Sequence, residues 1–217
     1  MLEEVVMHRM KCYGTYRTPE GFDDLVMVGD DDALTGLSFL CHGRAMGRDD
    51  IGIKRETPAF RETRRWLDEY FAGREPNFAP PLRIGDGETQ FRRDVLDELM
   101  KIPFGATTSY GSISKAISRR RGGRKASARA VGGAVGWNPI CIIIPCHRVI
   151  GSDGGLTGYG GGLGNKVSLL AHEGIDLFDA SMSDPCPDLS PRHGTPKHLS
   201  VADNHARQDA LEQAVTF

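Results

Sequence analysis

Residues 142–151 read IIIPCHRVIG. Three β-branched residues run into a proline, and a cysteine and a histidine then stand side by side before the apolar pattern resumes. The apolar run Ile140 to Ile144 reads as a short buried strand with Pro145-Cys146-His147 at its end. A free thiol has a pKa of about 8.5 and is mostly protonated at neutral pH, so a nucleophilic cysteine needs a base or a positive field. His147 is the nearest base. Neighbours on a strand face apart, so contact between the two side chains calls for a bridging water. Glu173 is the only acid between Asp153 and Asp176 and is the natural group to orient the imidazole. The plainer alternative is that Cys146 is one of the many buried free cysteines that are inert.

Upstream, SARAVGGAVG (residues 127–136) reads as a helix made almost wholly of small residues. Gly132 and Gly133 each cost on the order of 1 kcal/mol relative to alanine. Either the helix packs tightly against another element, or its backbone presses into a groove with Arg129 as its only long side chain. A helix over about Tyr110 to Ser118 precedes it, joined by the basic turn RRRGGRK. Helix, turn and helix with an arginine-rich connection is compatible with nucleic-acid binding, although paired helices with a charged loop occur in many folds. Before these, Thr89 caps a helix with Phe91, Val95, Leu96 and Leu99 on one face, stopped by Pro103.

Downstream, GSDGGLTGYGGGLG (residues 151–164) carries eight glycines and matches neither GxGxxG nor the P-loop, so it reads as a flexible pocket wall. Asn165 to His172 follows as a helix with Val167, Leu169 and Leu170 inward, ended by Glu173-Gly174. At the other end of the chain, short apolar stretches from Cys12 to Leu40 separated by turn residues predict a small antiparallel sheet. Thr57-Pro58 opens a helix running to Phe71 and closed by Gly73, with Phe60, Arg64, Leu67 and Phe71 on one face. Residues 74–87, rich in proline and glycine, read as a linker. The pattern as a whole predicts an α/β chain of the α+β kind: a sheet-and-helix domain and linker over 1–87, a mainly helical domain with a short active-site strand over 88–178, and a flexible acidic tail over 179–217.

Charge is uneven along the 217 residues: net −5 over 1–91, +6 over 92–178 and −3 over 179–217. The basic middle fits a local polyanion contact or a solvated surface. The odd number of scattered cysteines, five, gives no disulfide framework, and the adjacent pairs Cys41-His42 and Cys146-His147 cannot build a tetrahedral metal site alone. No metal and no cofactor are expected. The opening MLEEVVMHRM lacks the basic and apolar segments of an export signal, which predicts a cytoplasmic or nuclear protein without a membrane span.

PCHRV, preceded by NPICIII and followed by IGSDGGLTGY and LLAHEG, together with FGATTSYG and ARAVGGA, resembles the O6-alkylguanine-DNA alkyltransferase family. The resemblance runs from about Thr89 to Asp176, with several separate motifs in order; residues 1–87 match only loosely, in the manner of that family's RNase-H-like N-terminal domain. It implies that Cys146 takes the alkyl group from guanine O6 in one irreversible displacement, served by a water-bridged relay through His147 to Glu173. It implies that Tyr110 meets guanine N3, that Arg129 fills the space left by a flipped nucleotide, and that Ala128 and Gly132 let the helix approach the minor groove of double-stranded DNA. Asn138 matches the hinge between that helix and the active-site strand, Tyr159 and Gly160 the pocket wall and the donor to O6. The carbonyls of Cys146 and Val149 match the readers of the exocyclic amine. The stretch from Tyr110 to Arg129 is several residues longer than usual for the family; the enlarged basic turn, with Arg124 and Lys125, predicts extra phosphate contacts. A monomer is expected. The competing readings are a non-transferring relative that only binds alkyl lesions, a cysteine hydrolase, and a helix-turn-helix regulator without chemistry. The lesion-binding relatives lack the acceptor cysteine, and the proline before Cys146 withholds a donor that a hydrolase's oxyanion hole would use.

Overall fold

Alternating apolar positions in CYGTY, LVMVG and LTGLSF pair three strands, β1 (Cys12–Tyr16), β2 (Leu25–Gly29) and β3 (Leu34–Phe39), into an antiparallel meander. A two-residue strand β4 (Ile53–Lys54) adds parallel to β1, giving the order β3-β2-β1-β4. This is a computed structural model, and it describes residues 10–40, 52–85, 88–123 and 125–176. The expected acidic tail and Arg124 lie outside the described residues.

Helix α1 (Pro58–Phe71) starts as its sequence dictates: Thr57 Oγ1 accepts from the Phe60 N–H at 3.1 Å, proline occupies the first turn, and Gly73 beyond the end takes φ 76°. Its buried face is Phe60, Thr63, Leu67 and Tyr70, rotated from the expected one containing Arg64 and Phe71. Thr63 can sit in the core because its hydroxyl is satisfied by the Ala59 carbonyl at 2.8 Å, while Arg64 turns out to Glu56. The proline-rich stretch read as a linker lies along the free edge of β3: Leu34 N–H reaches Pro81 O at 2.8 Å, and Arg83 N–H reaches Leu34 O at 2.9 Å.

Three helices follow: α2 (Gln90–Leu99), α3 (Tyr110–Arg120) and α4 (Ala128–Val135), capped by the side chains of Thr89, Ser109 and Ser127. The turn between α3 and α4 is latched by serines. Ser114 Oγ donates to Ala126 O at 2.7 Å, and Ser118 Oγ accepts from the Ala126 N–H at 2.9 Å. Strand β5 (Thr108–Ser109) pairs parallel with β6 (Val149–Ile150), and helix α5 (Leu163–His172) closes the described chain. The fold is α+β. No helix among the described residues is long and apolar enough to cross a membrane.

The expected buried strand over Ile140 to Ile144 does not form. Ile140 makes one parallel bridge to Leu37, and the chain then turns, with Ile142 at φ 67° and the Ile144 N–H returning to Ile140 O at 3.1 Å. Cys146–Arg148 is a turn of 3₁₀ helix. The β-branched run marks burial correctly, but burial does not distinguish strand from turn. The Asn138 side chain decides it: its Oδ1 accepts from the Ile140 N–H at 3.1 Å and its Nδ2 donates to Ile144 O at 2.8 Å, so these groups need no neighbouring strand.

The sheet and the helical half share one core. Leu37 brackets the turn from the other side, donating to Pro139 O and accepting from the Cys141 N–H, each at 2.9 Å. Gly161 lets Phe39 of β3 close on Tyr159, because a Cβ there would stand 2.6 Å from the Phe39 ring and 2.7 Å from the Tyr159 ring. Gly161→Ala is expected to lower stability by about 1–3 kcal/mol in urea denaturation through overpacking. Gly160→Ala, whose Cβ would meet nothing nearer than 3.8 Å, is expected to change it little.

Candidate active site

The 3₁₀ turn after Pro145 brings Cys146, His147 and Arg148 inside together, and all three are buried. Asn138 Nδ2 donates to Cys146 Sγ at 3.0 Å, so the residue that stabilises the turn also touches the thiol. Burial pushes the Cys146 pKa up, while the Asn138 amide, the Tyr159 hydroxyl and the charge of Lys166 oppose it. The Tyr159 hydroxyl is buried and falls outside hydrogen-bonding geometry, yet stands near enough to weigh on the thiol. A cavity of about 340 Å³ opens beside Cys146, lined by Asn138, Cys141, Tyr159, Leu37 and Phe39 among others, so β3 supplies one of its walls.

His147 is fully buried, and its Nε2 lies 2.7 Å from Glu173 Oε1. Burial would raise the Glu173 pKa, but the charge and hydrogen bonds of His147 and Arg148 outweigh it and hold it at about 2. A carboxylate that stays ionised only accepts, so Nε2 carries the proton and Nδ1 keeps a free lone pair. Burial depresses the His147 pKa, Glu173 opposing and Arg148 and Lys166 assisting, which keeps the imidazole neutral, a weaker base than a free one but with a lone pair able to accept a proton. His147 Nδ1 has no hydrogen-bond partner among the described residues. Cys146 and His147 do not touch directly by any hydrogen bond. The reason differs from the alternation of a strand, because successive side chains on a 3₁₀ turn diverge by about a third of a revolution.

The remaining expected residues fall on two sides of this centre. Tyr110 opens α3, and its hydroxyl accepts from Thr157 Oγ1 at 3.1 Å, tying the helix to the glycine-rich loop. The Val149 carbonyl accepts from Lys166 Nζ at 2.7 Å, and the Cys146 carbonyl from the Val149 N–H; each keeps a second lone pair. Gly160 is exposed on the loop beside Tyr159. On α4, Ala128 and Arg129 are exposed, Gly132 is half-buried against the Tyr110 ring, and Gly133 would offer a Cβ nothing within 4 Å. Packing within the chain therefore does not require glycine at 133, which favours the reading of a bare helix face. In the basic turn, Arg120 and Arg121 are held by Asp94, at 3.1 and 2.7 Å, whereas Arg119 and Lys125 are exposed. Among the described residues no group of three or more His, Cys, Asp or Glu side chains could hold a metal ion.

Sequence reasoning missed Lys166, Arg148 and Tyr70. Lys166 is fully buried, its pKa lowered to about 8 by burial, with Nζ bound to the carbonyls of Val149 and Thr157. The signal was present: Lys166, Leu169, Leu170 and Glu173 follow helical spacing, and it is these residues, with Val167 only half-buried, that define the inner face of α5.

Comparison with known proteins agrees with this geometry. The family model described as 6-O-methylguanine DNA methyltransferase, DNA binding domain, matches residues 90–175. The methylated-DNA-protein-cysteine methyltransferase of Methanosarcina acetivorans is 40% identical over 162 residues, spanning 75% of this chain and 97% of the relative. That of Mycobacterium leprae is 42% identical over 161 residues, spanning 71% and 92%. The crystal structure of Mycobacterium tuberculosis O6-methylguanine methyltransferase superposes with a TM-score of 0.64 at 40% identity, over 76% of this chain and 93% of that one. The Mycobacterium tuberculosis OGT in complex with DNA gives 0.62 at 38% identity, over 75% and 92%. At 40–42% identity over more than nine-tenths of these relatives' length, this chain belongs to the methylated-DNA-protein-cysteine methyltransferase family.

Proposed function

We propose that this chain repairs DNA by moving the alkyl group of O6-alkylguanine, and of O4-alkylthymine where it fits, onto Cys146 in a single irreversible turnover. The thiol proton passes through water to His147 Nδ1 as Nε2–H holds to Glu173. The thiolate then attacks the alkyl carbon, an S–C bond forms as the C–O6 bond breaks, and the electron pair leaves with the guanine. Tyr110 supplies a hydrogen bond or proton at guanine N3, which makes the base a better leaving group. No protein group regenerates the thiol, because a thioether has no leaving group that water can displace under mild conditions.

Guanine O6 cannot be reached inside a stacked duplex, so the nucleotide must be extruded at a cost of a few kcal/mol. Arg129 fills the gap, and the bare face of α4, with Ala128 and Gly132, allows approach to the minor groove. The observation that carries the reading is the double role of Asn138. It follows the DNA-facing helix and also donates to the acceptor sulfur, so base capture and nucleophile are parts of one rigid piece. Gly160 and the carbonyls of Cys146 and Val149 read the edge of the captured base. The chain acts as a monomer, in the cytoplasm or nucleus, and needs no cofactor.

Incubation with O6-methylguanine duplex DNA followed by intact-mass and peptide mass spectrometry is expected to show one methyl-for-hydrogen increment on Cys146, and none in Cys146→Ala. Binding without an adduct would point instead to a lesion-binding protein, and release of free product beyond one equivalent to a hydrolase. The salt dependence of DNA binding tests the basic turn. Replacing Arg119 and Lys125 together by alanine is expected to reduce the slope of log K against log salt by about 2, at roughly 0.9 per phosphate contact. Arg121→Ala, whose partner is Asp94, is expected to leave the slope unchanged and to cost about 1 kcal/mol of stability.

A further inference from the structure

Glu173 accepts five hydrogen bonds, and one of them comes from the other half of the molecule. Tyr70 of α1 donates its hydroxyl to Oε1 at 2.8 Å, the same oxygen that meets His147 Nε2 at 2.7 Å and Arg148 Nη2 at 2.9 Å. Oε2 takes Arg148 Nε at 2.8 Å and the Gly105 N–H at 3.1 Å. Tyr70 is fully buried and its ring is clamped on several sides: Trp66 stacks on it at 5.5 Å, and Phe71, Phe104 and His172 approach at 5.2–5.9 Å. His172 Nε2 also donates to the Tyr70 carbonyl at 2.7 Å, so both ring and backbone are fixed. A tyrosine held this firmly has one place for its hydroxyl to go.

We propose that Tyr70 is a positioning residue for alkyl transfer, through which α1 of the N-terminal half sets the basicity of His147 by sharing Glu173 Oε1 with it. The inference rests on the assignment of His147 as the base in the proposed transfer. Three donors on one carboxylate oxygen divide its charge, so the bond from Tyr70, beside that from Arg148, weakens the pull of Glu173 on the imidazole. Without the tyrosine hydroxyl, more of the carboxylate charge falls on His147, its protonated form is favoured, and less neutral base is present at a given pH. The other groups facing this cluster do not change with the hydroxyl. Arg148 and Lys166 face His147, Cys141 and His172 face Tyr70, and Arg148 is bidentate on Glu173. Tyr70 itself stays protonated, because burial and the neighbouring Glu173 both raise its pKa. It therefore acts as a fixed donor throughout the working range.

The test is Tyr70→Phe in the full chain, which keeps the ring and removes the hydroxyl. Single-turnover methyl transfer from O6-methylguanine duplex DNA is followed across roughly pH 5–9, a window of about four units that extends below the ordinary histidine pKa, where burial places the acid limb of His147. DNA affinity and thermal melting are followed in parallel. The acid limb of the rate profile is expected to move up by about half to one pH unit, with transfer slowed roughly 3- to 10-fold on that limb, below the ordinary histidine pKa, and close to wild type above about pH 8.5. DNA affinity is expected to be unchanged. Trp66→Leu, which loosens the same cage without touching Glu173, serves as the packing control and is expected to lower the melting temperature with the acid limb in place. A Tyr70→Phe profile that coincides with wild type, or that falls uniformly at every pH as a packing defect would make it, overturns the inference. Absence of any adduct on wild-type Cys146 is a different result and overturns the transfer reading itself.

Discussion

One buried carboxylate organises this molecule. Glu173 sits at the end of α5 with almost no solvent, and a lone ion there would cost several kcal/mol. It persists because four residues from three places in the chain donate to it: Tyr70 on α1, Gly105 in the loop before β5, and His147 and Arg148 on the 3₁₀ turn. Arg148 is committed further, donating to Ile102 O at 2.6 Å beyond the end of α2. Removing any one donor leaves an ion short of partners, so these segments are bound to one arrangement more tightly than apolar packing alone would require. The electrostatic state of the histidine is a by-product of the same arrangement.

The cysteine is governed by a second, weaker set. Burial opposes ionisation and outweighs the Asn138 amide, the Tyr159 phenol, the Lys166 ammonium and the backbone N–H of Cys146, which act the other way. The resting thiol is therefore protonated and shielded from adventitious electrophiles. A base must take its proton before the sulfur can act as a nucleophile. The turn at Ile142, with a β-branched residue in the left-handed region, is held by Asn138 on one side and Leu37 on the other. Local backbone strain of this kind clusters where a side chain must be aimed.

Much of this was legible in the sequence, and the failures have physical reasons. Caps and stops gave two of the helices: Thr57 and Thr89 begin them where the side chain can serve the first free N–H groups, and Gly73 ends one; Ser109 and Ser127 cap the next two in the same way. The motif around PCHRV drew attention to Cys146, His147 and Glu173, of which the structure joins His147 and Glu173 directly and leaves Cys146 beside Asn138. The run from Ile140 to Ile144 misled because β-branched residues report burial, while the choice between strand and turn lay in an asparagine two residues earlier. Arg64 and Phe71 were placed on the wrong edge of the α1 face because Thr63 reads as polar until its hydroxyl is seen bonded one turn back. Tyr70 could not have been found by pattern at all, since its partner lies 103 residues away.

The serine latch between α3 and α4 has an effect on how this surface can change over time. Ser114 and Ser118 fasten Ala126 directly, so the angle between the two helices is set across the base of the turn and not by the residues looping out from it. Loop length enters stability only weakly, by roughly 0.6 kcal/mol for each doubling. Residues can therefore be gained or lost between Arg121 and Lys125 without changing the direction in which Arg129 leaves α4. The charge of that loop is free to drift over generations while the buried cluster behind it stays where it is.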